Sequence, residues 1–437
     1  MSGSTIFALS SAPGRAGIAV LRVSGPLAGA ALTSLTQQAV PWPRRATLRR
    51  LVEAGEEIDQ ALVVWFPAGS SFTGEDVAEF HVHGGRAVVE AVLGALGRIK
   101  GLRPAEPGEF TRRAVENGKF DLTQAEALAD LIDAETEGQR KQALRQYEGA
   151  LAELYDGWRA RLLHAAAWAE AGIDFAEEEV PEDVAARARA DASSILAAIR
   201  LHLDDSRRGE IVRDGLFLTV IGPPNAGKSS LVNALAKRDV AIVAATPGTT
   251  RDIVEVRLDL AGYAIVVADT AGLREAVEAV EAEGVRRALE RAAAADIVVL
   301  VVDGSAADPF AGVSEATVEA ASFIVWNKAD LPWPAPPTGI RVSAATGEGL
   351  DALLDTLAAL VRTRLERSRE SPPLTRARHR HALGEAATAL DRALQTDEPE
   401  LMAEDLRLAL RALGRITGHV DIEELLGVIF RDFCVGK

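Results

Sequence analysis

The sequence predicts a multi-domain chain with an N-terminal α+β domain, a discontinuous α-helical domain, and a phosphate-loop α/β domain inserted between the two helical parts. Three observations carry that reading. The apolar run Leu216–Ile221 leads straight into Gly222-Pro223-Pro224-Asn225-Ala226-Gly227-Lys228-Ser229, a strand, a glycine-rich turn and a helix start. No proline occurs between Pro107 and Pro181, where Leu144, Tyr147, Leu151, Leu154 and Trp158 recur at spacings of three and four. Helical patterning then resumes after Ser371-Pro372-Pro373.

Taken in order, residues 1–118 alternate short apolar runs with turn signals: Ile18–Leu21, a Ser24-Gly25-Pro26 turn, an Ala/Leu-rich helix, Ala61–Phe66, and Val88–Leu96 at helical spacing. Residues 119–212 form the first helical part, with the Leu144 to Trp158 seam predicting one long helix and a second helical stretch reaching about Leu203. Residues 213–370 alternate strands and helices as a doubly wound parallel sheet does, with strands at Leu216–Ile221, Ile253–Leu260, Tyr263–Ala268, Ile297–Val302, Phe323–Trp326 and Ile340–Val342. The pieces after the fourth and fifth strands are short, which predicts reduced helices there. Residues 371–437 return to helix from about Thr375 to Phe433.

Composition narrows the function classes. The 437 residues are 48% hydrophobic, enough for several cores, yet no apolar run approaches the length of a membrane helix. A single cysteine, Cys434, excludes an internal disulfide framework and suits a reducing compartment. A net charge of −16 argues against a general nucleic-acid coat protein. The first acidic residue is Glu53, preceded by Arg15, Arg22, Arg44, Arg45, Arg49 and Arg50, a composition shared with organelle transit peptides. The strand, turn and helix pattern in the same segment points instead to a folded domain.

The chemistry begins at the phosphate loop. Backbone amides of Ala226 and Gly227 and the helix start at Lys228, Ser229 and Ser230 face a phosphate; Lys228 reaches the β and γ oxygens and Ser229 offers a hydroxyl to Mg²⁺. Asp269-Thr270-Ala271-Gly272 ends another strand, so Asp269 can hold Mg²⁺ through water and the Gly272 amide can sense the γ-phosphate. Asn327-Lys328-Ala329-Asp330 ends a third, and Asp330 can accept from both N1–H and the exocyclic amine of guanine, a donor pair that adenine lacks. A backbone amide at Ser343-Ala344 can meet the guanine O6. Thr250, in Gly248-Thr249-Thr250, supplies a second Mg²⁺ ligand in a switch loop. Together these motifs specify a Ras-like GTPase domain binding GTP and Mg²⁺. Leu273 stands where many GTPases carry the glutamine that orients water, so another group must do so; Glu275, Glu278, Glu281 and Glu283 follow, and a solvated acidic helix face explains them equally well.

These motifs occur together with Ser71-Phe72-Thr73-Gly74-Glu75-Asp76, His83-Gly84-Gly85, Gly108-Glu109-Phe110-Thr111, Lys119-Phe120-Asp121-Leu122 and the terminus Phe433-Cys434-Val435-Gly436-Lys437. In that combination the chain resembles the MnmE (TrmE) family of tRNA-modification GTPases from about Thr5 to Lys437. The resemblance implies GTPase domains that pair face to face around K⁺, held here by Asn225, Thr249 and oxygens around Ala244 and Thr246. It selects Glu281 as the water-orienting residue, with Arg251 and Arg274 as auxiliaries. It implies an N-terminal domain that binds a tetrahydrofolate derivative, 5,10-methylene- or 5-formyl-tetrahydrofolate, through Arg22, Glu79, Lys119 and Lys437, with Cys434 in the chemistry or packed as a small apolar residue. It implies a cytoplasmic homodimer joined through the N-terminal domains and forming a heterotetramer with the FAD-dependent MnmG. Acting on tRNA, that assembly would add a (carboxymethyl)aminomethyl group to C5 of the wobble uridine.

Three stretches depart from the pattern or stand outside it. Ala244-Ala245-Thr246-Pro247 replaces the usual Thr-Asp-Ile-Ala of relatives, which leaves K⁺ ligation dependent on backbone carbonyls. His81-x-His83 hints at a metal pair, and Arg376, Arg378, His379, Arg380 and His381 can meet tRNA phosphates or form a solvated first turn. The rival classes are a ribosome-assembly or regulatory GTPase switch without one-carbon chemistry, and a folate-dependent aminomethyltransferase whose GTPase domain only regulates.

Overall fold

The computed structural model describes residues 3–174, 183–205, 207–238, 240–242, 255–268, 295–333, 339–365 and 372–420, together with Leu426, Ile429, Phe430 and Gly436. The chain divides into two compact units, one of Met1–Ala129, Tyr147–Arg189 and Gln395–Lys437, the other of Asp130–Gln146 and Ala190–Leu394.

The first unit opens with β1 (Thr5–Leu9), β2 (Ala16–Ser24), α1 (Ala28–Thr36), β3 (Thr47–Glu53), β4 (Glu56–Phe66), β5 (Val77–Gly84), α2 (Arg86–Arg98) and β6 (Leu102–Pro104). The strands form one six-stranded sheet in the order β3-β4-β5-β2-β1-β6. Alternation assigns its two faces. Phe7, Leu21, Val23, Val63, Ala78 and Phe80 pack with Leu32, Leu35, Val92 and Leu96 of α1 and α2. On the other face Ile6 and Ala8 pack with Phe110 and Phe72. The register puts Ala8, Arg22 and Glu79 side by side on β1, β2 and β5 of that second face. The arginine-rich segment before Glu53 is therefore built into strands and a helix.

The long helix expected between Pro107 and Pro181 is four helices: α3 (Glu109–Glu116), α4 (Leu122–Asp133), α5 (Glu137–Tyr147) and α6 (Ala150–Asp174). The apolar spacing from Leu144 to Trp158 crosses a break. Gly149 has φ of 99°, in the left-handed region, and Gln124 Nε2 donates to the freed Tyr147 carbonyl at 2.9 Å. Beyond the break, Leu151, Tyr155, Trp158, Leu162, Ala165 and Ala169 are buried along α6. They belong to the same unit as α13 (Pro399–Thr417), which buries Met402, Leu406, Ala409, Leu413 and Ile416.

In the second unit, α7 (Asp183–Leu203) and α8 (Arg208–Asp214) precede β7 (Leu216–Ile221), α9 (Lys228–Ala236), β8 (Ala241–Ile242), β9 (Glu255–Leu260), β10 (Tyr263–Ala268), β11 (Ile297–Asp303), α10 (Glu315–Ala320), β12 (Phe323–Asn327), β13 (Ile340–Arg341) and α11 (Leu350–Leu365). The seven-stranded sheet runs β13-β12-β11-β7-β10-β9-β8. Five neighbouring strands pair in parallel, and β9 alone runs the other way, pairing antiparallel with β10 and with the edge strand β8. The cause is a two-residue turn, Ala261-Gly262, with φ of 57° and 85°, which returns β9 on itself as β10 and precludes a crossover. The sequence reading placed both strands in a doubly wound parallel sheet, which β9 contradicts, and it missed the two-residue β8. As expected from the short connection, α10 has only six residues.

Helix α12 (Ala377–Gln395) and α13 replace the continuous helix expected from Thr375 to Phe433, because Pro399 can open a helix but not continue one. Arg376, His379 and Arg380 of the basic cluster at the start of α12 follow neither expected role, whereas His381 is exposed as a solvated first turn requires. Arg376 Nη2 lies 2.6 Å from Asp130 Oδ1. Arg380 lies 2.6 Å from Asp205 Oδ1 and 2.9 Å from Glu210 Oε1, and His379 is buried. Burial pushes the Glu210 carboxyl up, but hydrogen bonds from Arg207 and Arg380 outweigh it and hold the group below the usual carboxylate range. This cluster is an internal ion-pair hub.

Candidate functional site

Three strands of the parallel sheet end at one edge and deliver the nucleotide residues there. After β7, the loop 222–227 turns into α9, whose first residues are Lys228, Ser229 and Ser230. After β12 come Lys328 and Asp330, and after β13 come Ser343 and Ala344. Asn225 adopts φ of 62°, and Lys228 Nζ donates to the carbonyls of Gly222 at 2.9 Å and Pro223 at 2.8 Å. The lysine head group therefore lies inside the loop 222–227.

Asn327, only 2% exposed, ties the three loops together. Its Nδ2 donates to the Ala226 carbonyl at 2.8 Å, and its Oδ1 accepts from the Ala344 amide at 3.0 Å. Gly227, at φ of 91°, makes room for this: a Cβ there would sit 2.1 Å from Asn327 Nδ2. Ser343 Oγ donates to Asp330 Oδ1 at 2.5 Å and accepts from the Thr346 amide at 3.1 Å, which holds the Asp330 carboxylate beside the Ala344 backbone. Lys328 Nζ pairs with Asp303 Oδ2 at 2.6 Å. Burial raises the Asp303 carboxyl, and the bonds from Lys328 and Ser305 more than offset it, so its pKa lies below the usual value. Trp333 Nε1 donates to the Lys328 carbonyl at 2.9 Å, and the Arg341 guanidinium lies 4.5 Å from its ring centroid.

The sequence reading named Asn327 and Lys328 as GTP-binding residues but gave neither a partner. It missed Asp303 and Trp333 altogether, although Asp303 closes the apolar strand β11 as Asp269 follows β10. Ala244, Thr246, Thr249, Thr250, Arg251, Asp269, Gly272, Arg274, Glu281, Cys434 and Lys437 lie outside the described residues.

In the first unit, the register that aligns Arg22 with Glu79 produces a two-point contact. Arg22 Nε and Nη2 lie 3.0 and 2.9 Å from Glu79 Oε1, and His81 Nε2 lies 3.3 Å from Oε2. Glu79 is thus a half-buried, paired carboxylate and no bare surface charge. The Arg22 guanidinium lies 5.4 Å from the Phe72 ring centroid and 5.8 Å from that of Phe110. Lys119 Nζ donates to the Gly69 carbonyl. The metal-pair reading of His81 and His83 has no support in the described residues. His83 Nδ1 pairs with Asp59 at 2.7 Å, and no group of three or more metal-ligating side chains occurs among the described residues.

The comparisons with known proteins agree with this arrangement along the whole chain. A family model described as the GTP-binding protein TrmE N-terminus matches residues 5–119, and one described as the MnmE helical domain matches residues 122–434. The chain is 57% identical over 440 residues to the tRNA modification GTPase MnmE of Parvibaculum lavamentivorans, covering 99% of this chain and 100% of that protein. This chain belongs to the MnmE family. Within the family it is also 54% identical over 461 residues to the MnmE of Rhodospirillum rubrum, with 100% of both chains covered. It is 50% identical over 461 residues to the human mitochondrial 5-taurinomethyluridine-[tRNA] synthase subunit GTPB3, covering 100% of this chain and 94% of that one.

As an MnmE-family GTPase the chain hydrolyses GTP to GDP and phosphate, and its nucleotide edge has the parts for binding it. Lys228 sits at the start of α9 within the loop 222–227, and Asp330 is held next to the Ser343-Ala344 loop. No helix among the described residues is long and apolar enough to cross a membrane.

Proposed function

We propose that this GTPase works in the cytoplasm as a homodimer with a flavoprotein partner, the FAD-dependent MnmG, in a heterotetramer. The complex adds a (carboxymethyl)aminomethyl group to C5 of the wobble uridine of certain tRNAs, drawing the carbon from a tetrahydrofolate derivative. The observation that carries the folate part is the position of the chain end. Gly436 seats against β1 so closely that a Cβ on it would lie 2.0 Å from the Leu9 carbonyl. That strand borders β2, whose Arg22 pairs with Glu79. Cys434 and Lys437 flank Gly436 in sequence and, in this reading, would serve the folate site.

Two buried hydroxyls on the same side, Ser10 Oγ and Thr111 Oγ1, have no hydrogen-bond partner among the described residues, which suits a site completed by a polar ligand. Glu79 would accept from the donor edge of a pterin, and Lys119 and Lys437 would hold the anionic tail. The folate, when bound, supplies the one-carbon unit.

In the GTPase domain, Ser229 and Thr250 would hold Mg²⁺, with Asp269 acting through water. Asn225, Thr249 and the oxygens around Ala244 and Thr246 would hold K⁺, whose charge offsets that developing on the β and γ phosphates. Glu281 would orient the water that Leu273 cannot. Hydrolysis opens and closes the paired GTPase domains and leaves the carbon chemistry to the folate site.

Titration with 5-formyl-tetrahydrofolate tests the folate part. Saturable binding that Glu79→Ala abolishes is expected, and an absence of binding would favour a plain GTPase switch. GTP turnover compared in K⁺ and Na⁺ tests the cation; equal rates would remove K⁺ from the mechanism.

A further inference from the structure

The loop between β4 and β5 carries two cations on consecutive carbonyls. Lys119 Nζ donates to the Gly69 carbonyl, and Arg44 Nη2 donates to the Ser70 carbonyl at 2.9 Å. Because adjacent residues are about 3.8 Å apart along the chain, the two head groups lie within roughly 10 Å of each other. Both residues are exposed, and among the described residues neither has a carboxylate partner. Arg45 and Trp42 are exposed beside Arg44.

The loop is held in shape from both ends. Gly69 N donates to the Gly74 carbonyl at 3.1 Å, and Asn117 Nδ2 donates to the Thr73 carbonyl at 2.7 Å. Its Phe72 faces inward onto Arg22. Arg22 and Glu79 thus lie beside Phe72, and the carbonyls that hold Lys119 and Arg44 are three and two residues from Phe72 on the same loop. The loop's own carboxylates are engaged elsewhere: Asp76 accepts from the Ala68 amide at 2.7 Å, and Glu75 pairs with Arg113 at 3.0 Å.

We propose that Arg44 is a second anion-binding step after Lys119 and selects reduced folates carrying a poly-γ-glutamyl tail over the monoglutamate. This rests on the folate reading above and goes beyond it by naming the form of the substrate. Each added γ-glutamyl unit carries one further α-carboxylate. A single cation matches one of these, and two cations at adjacent carbonyls match consecutive ones. An exposed guanidinium presents its planar fork to a carboxylate. Each such exposed pair contributes a factor of at most about five in affinity, so the preference is graded and is weakened by salt.

The test is calorimetric titration of the full-length protein with monoglutamyl and pentaglutamyl 5-formyl-tetrahydrofolate at low and high salt. The parent protein should bind the pentaglutamate up to about fivefold more tightly at low salt, the worth of the one exposed pair that Arg44 adds to Lys119. Arg44→Gln should bring that ratio close to one while changing the monoglutamate affinity far less, and Arg44→Lys should restore most of it. An unchanged melting temperature separates loss of the contact from loss of the fold. Equal binding of the two folates by the parent, or an undiminished ratio in Arg44→Gln, would overturn the proposal while leaving the folate site standing. Failure of both folates to bind would remove the folate reading itself. If Arg44→Gln weakens tRNA binding and spares the pentaglutamate ratio, the patch is an RNA contact and the inference is wrong.

Discussion

Removing the Asn327 side chain tests whether the nucleotide edge is held together as the geometry indicates. Asn327→Ala deletes the donor to the Ala226 carbonyl and the acceptor for the Ala344 amide, both supplied by one side chain that is 2% exposed. Each group left buried and unpaired costs about 1–3 kcal/mol, and the half-buried Ala344 amide belongs at the low end, so the loss is about 2–4 kcal/mol. Because bound GTP requires the phosphate loop and the base loop in register, that energy must be restored on binding. It should appear as a weakening of GTP and GDP affinity by about 30-fold to 1,000-fold. Stopped-flow binding of a fluorescent GTP analogue measures it, with the faster dissociation rate carrying most of the change. Asn327→Asp keeps the acceptor for Ala344 but sets a carboxylate against the Ala226 carbonyl, so it should not rescue. Affinity within about threefold of the parent for Asn327→Ala would refute the claim that this residue couples the loops.

Other expectations follow from separate parts of the molecule. Glu281→Ala should leave GTP affinity near that of the parent and collapse turnover measured by phosphate release; normal turnover in K⁺ would dismiss Glu281. Gly138→Val should destabilise the second unit by about 1–3 kcal/mol in urea unfolding, because a Cβ there already meets the Gly262 carbonyl at 2.7 Å and the Tyr263 ring at 2.9 Å. Burial raises the Glu109 carboxyl, but hydrogen bonds from Arg103, the Glu106 amide and Arg113 depress it below its ordinary value of 4.5. A depressed pKa contributes stability that is complete above pH 4.5 and is lost as the pH falls through the lower folded value. Glu109→Gln should therefore cost about 2–3 kcal/mol at neutral pH, with the gap to the parent closing in acid; a gap that is flat with pH would contradict the ion-pair account.

The candidate sites divide along the same physical line as the fold. A phosphate loop or a guanine-reading aspartate is legible because its function needs a fixed local spacing at a strand end. Gly227, Lys228 and Asp330 accordingly lie where the pattern put them. The partners of these groups were not legible. Nothing near Asn327 in sequence announces Ala226, and nothing near Arg44 announces Ser70.

The sequence by itself determined the strands Leu216–Ile221 and Tyr263–Ala268 and the GTPase motifs, since apolar run length and motif spacing are local properties. Tertiary structure decided where helices stop and which charges meet. The apolar spacing from Leu144 to Trp158 continues across Gly149, whose left-handed backbone breaks the helix while the periodicity carries on. Arg376 and Arg380 read as a phosphate contact or a solvated first turn until the fold brought Asp130, Asp205 and Glu210 against them. Arg22 and Glu79 became a pair only through the register of β2 on β5. Periodicity records which face of an element is buried, whereas the partner across that face is set by contacts between residues far apart in the chain.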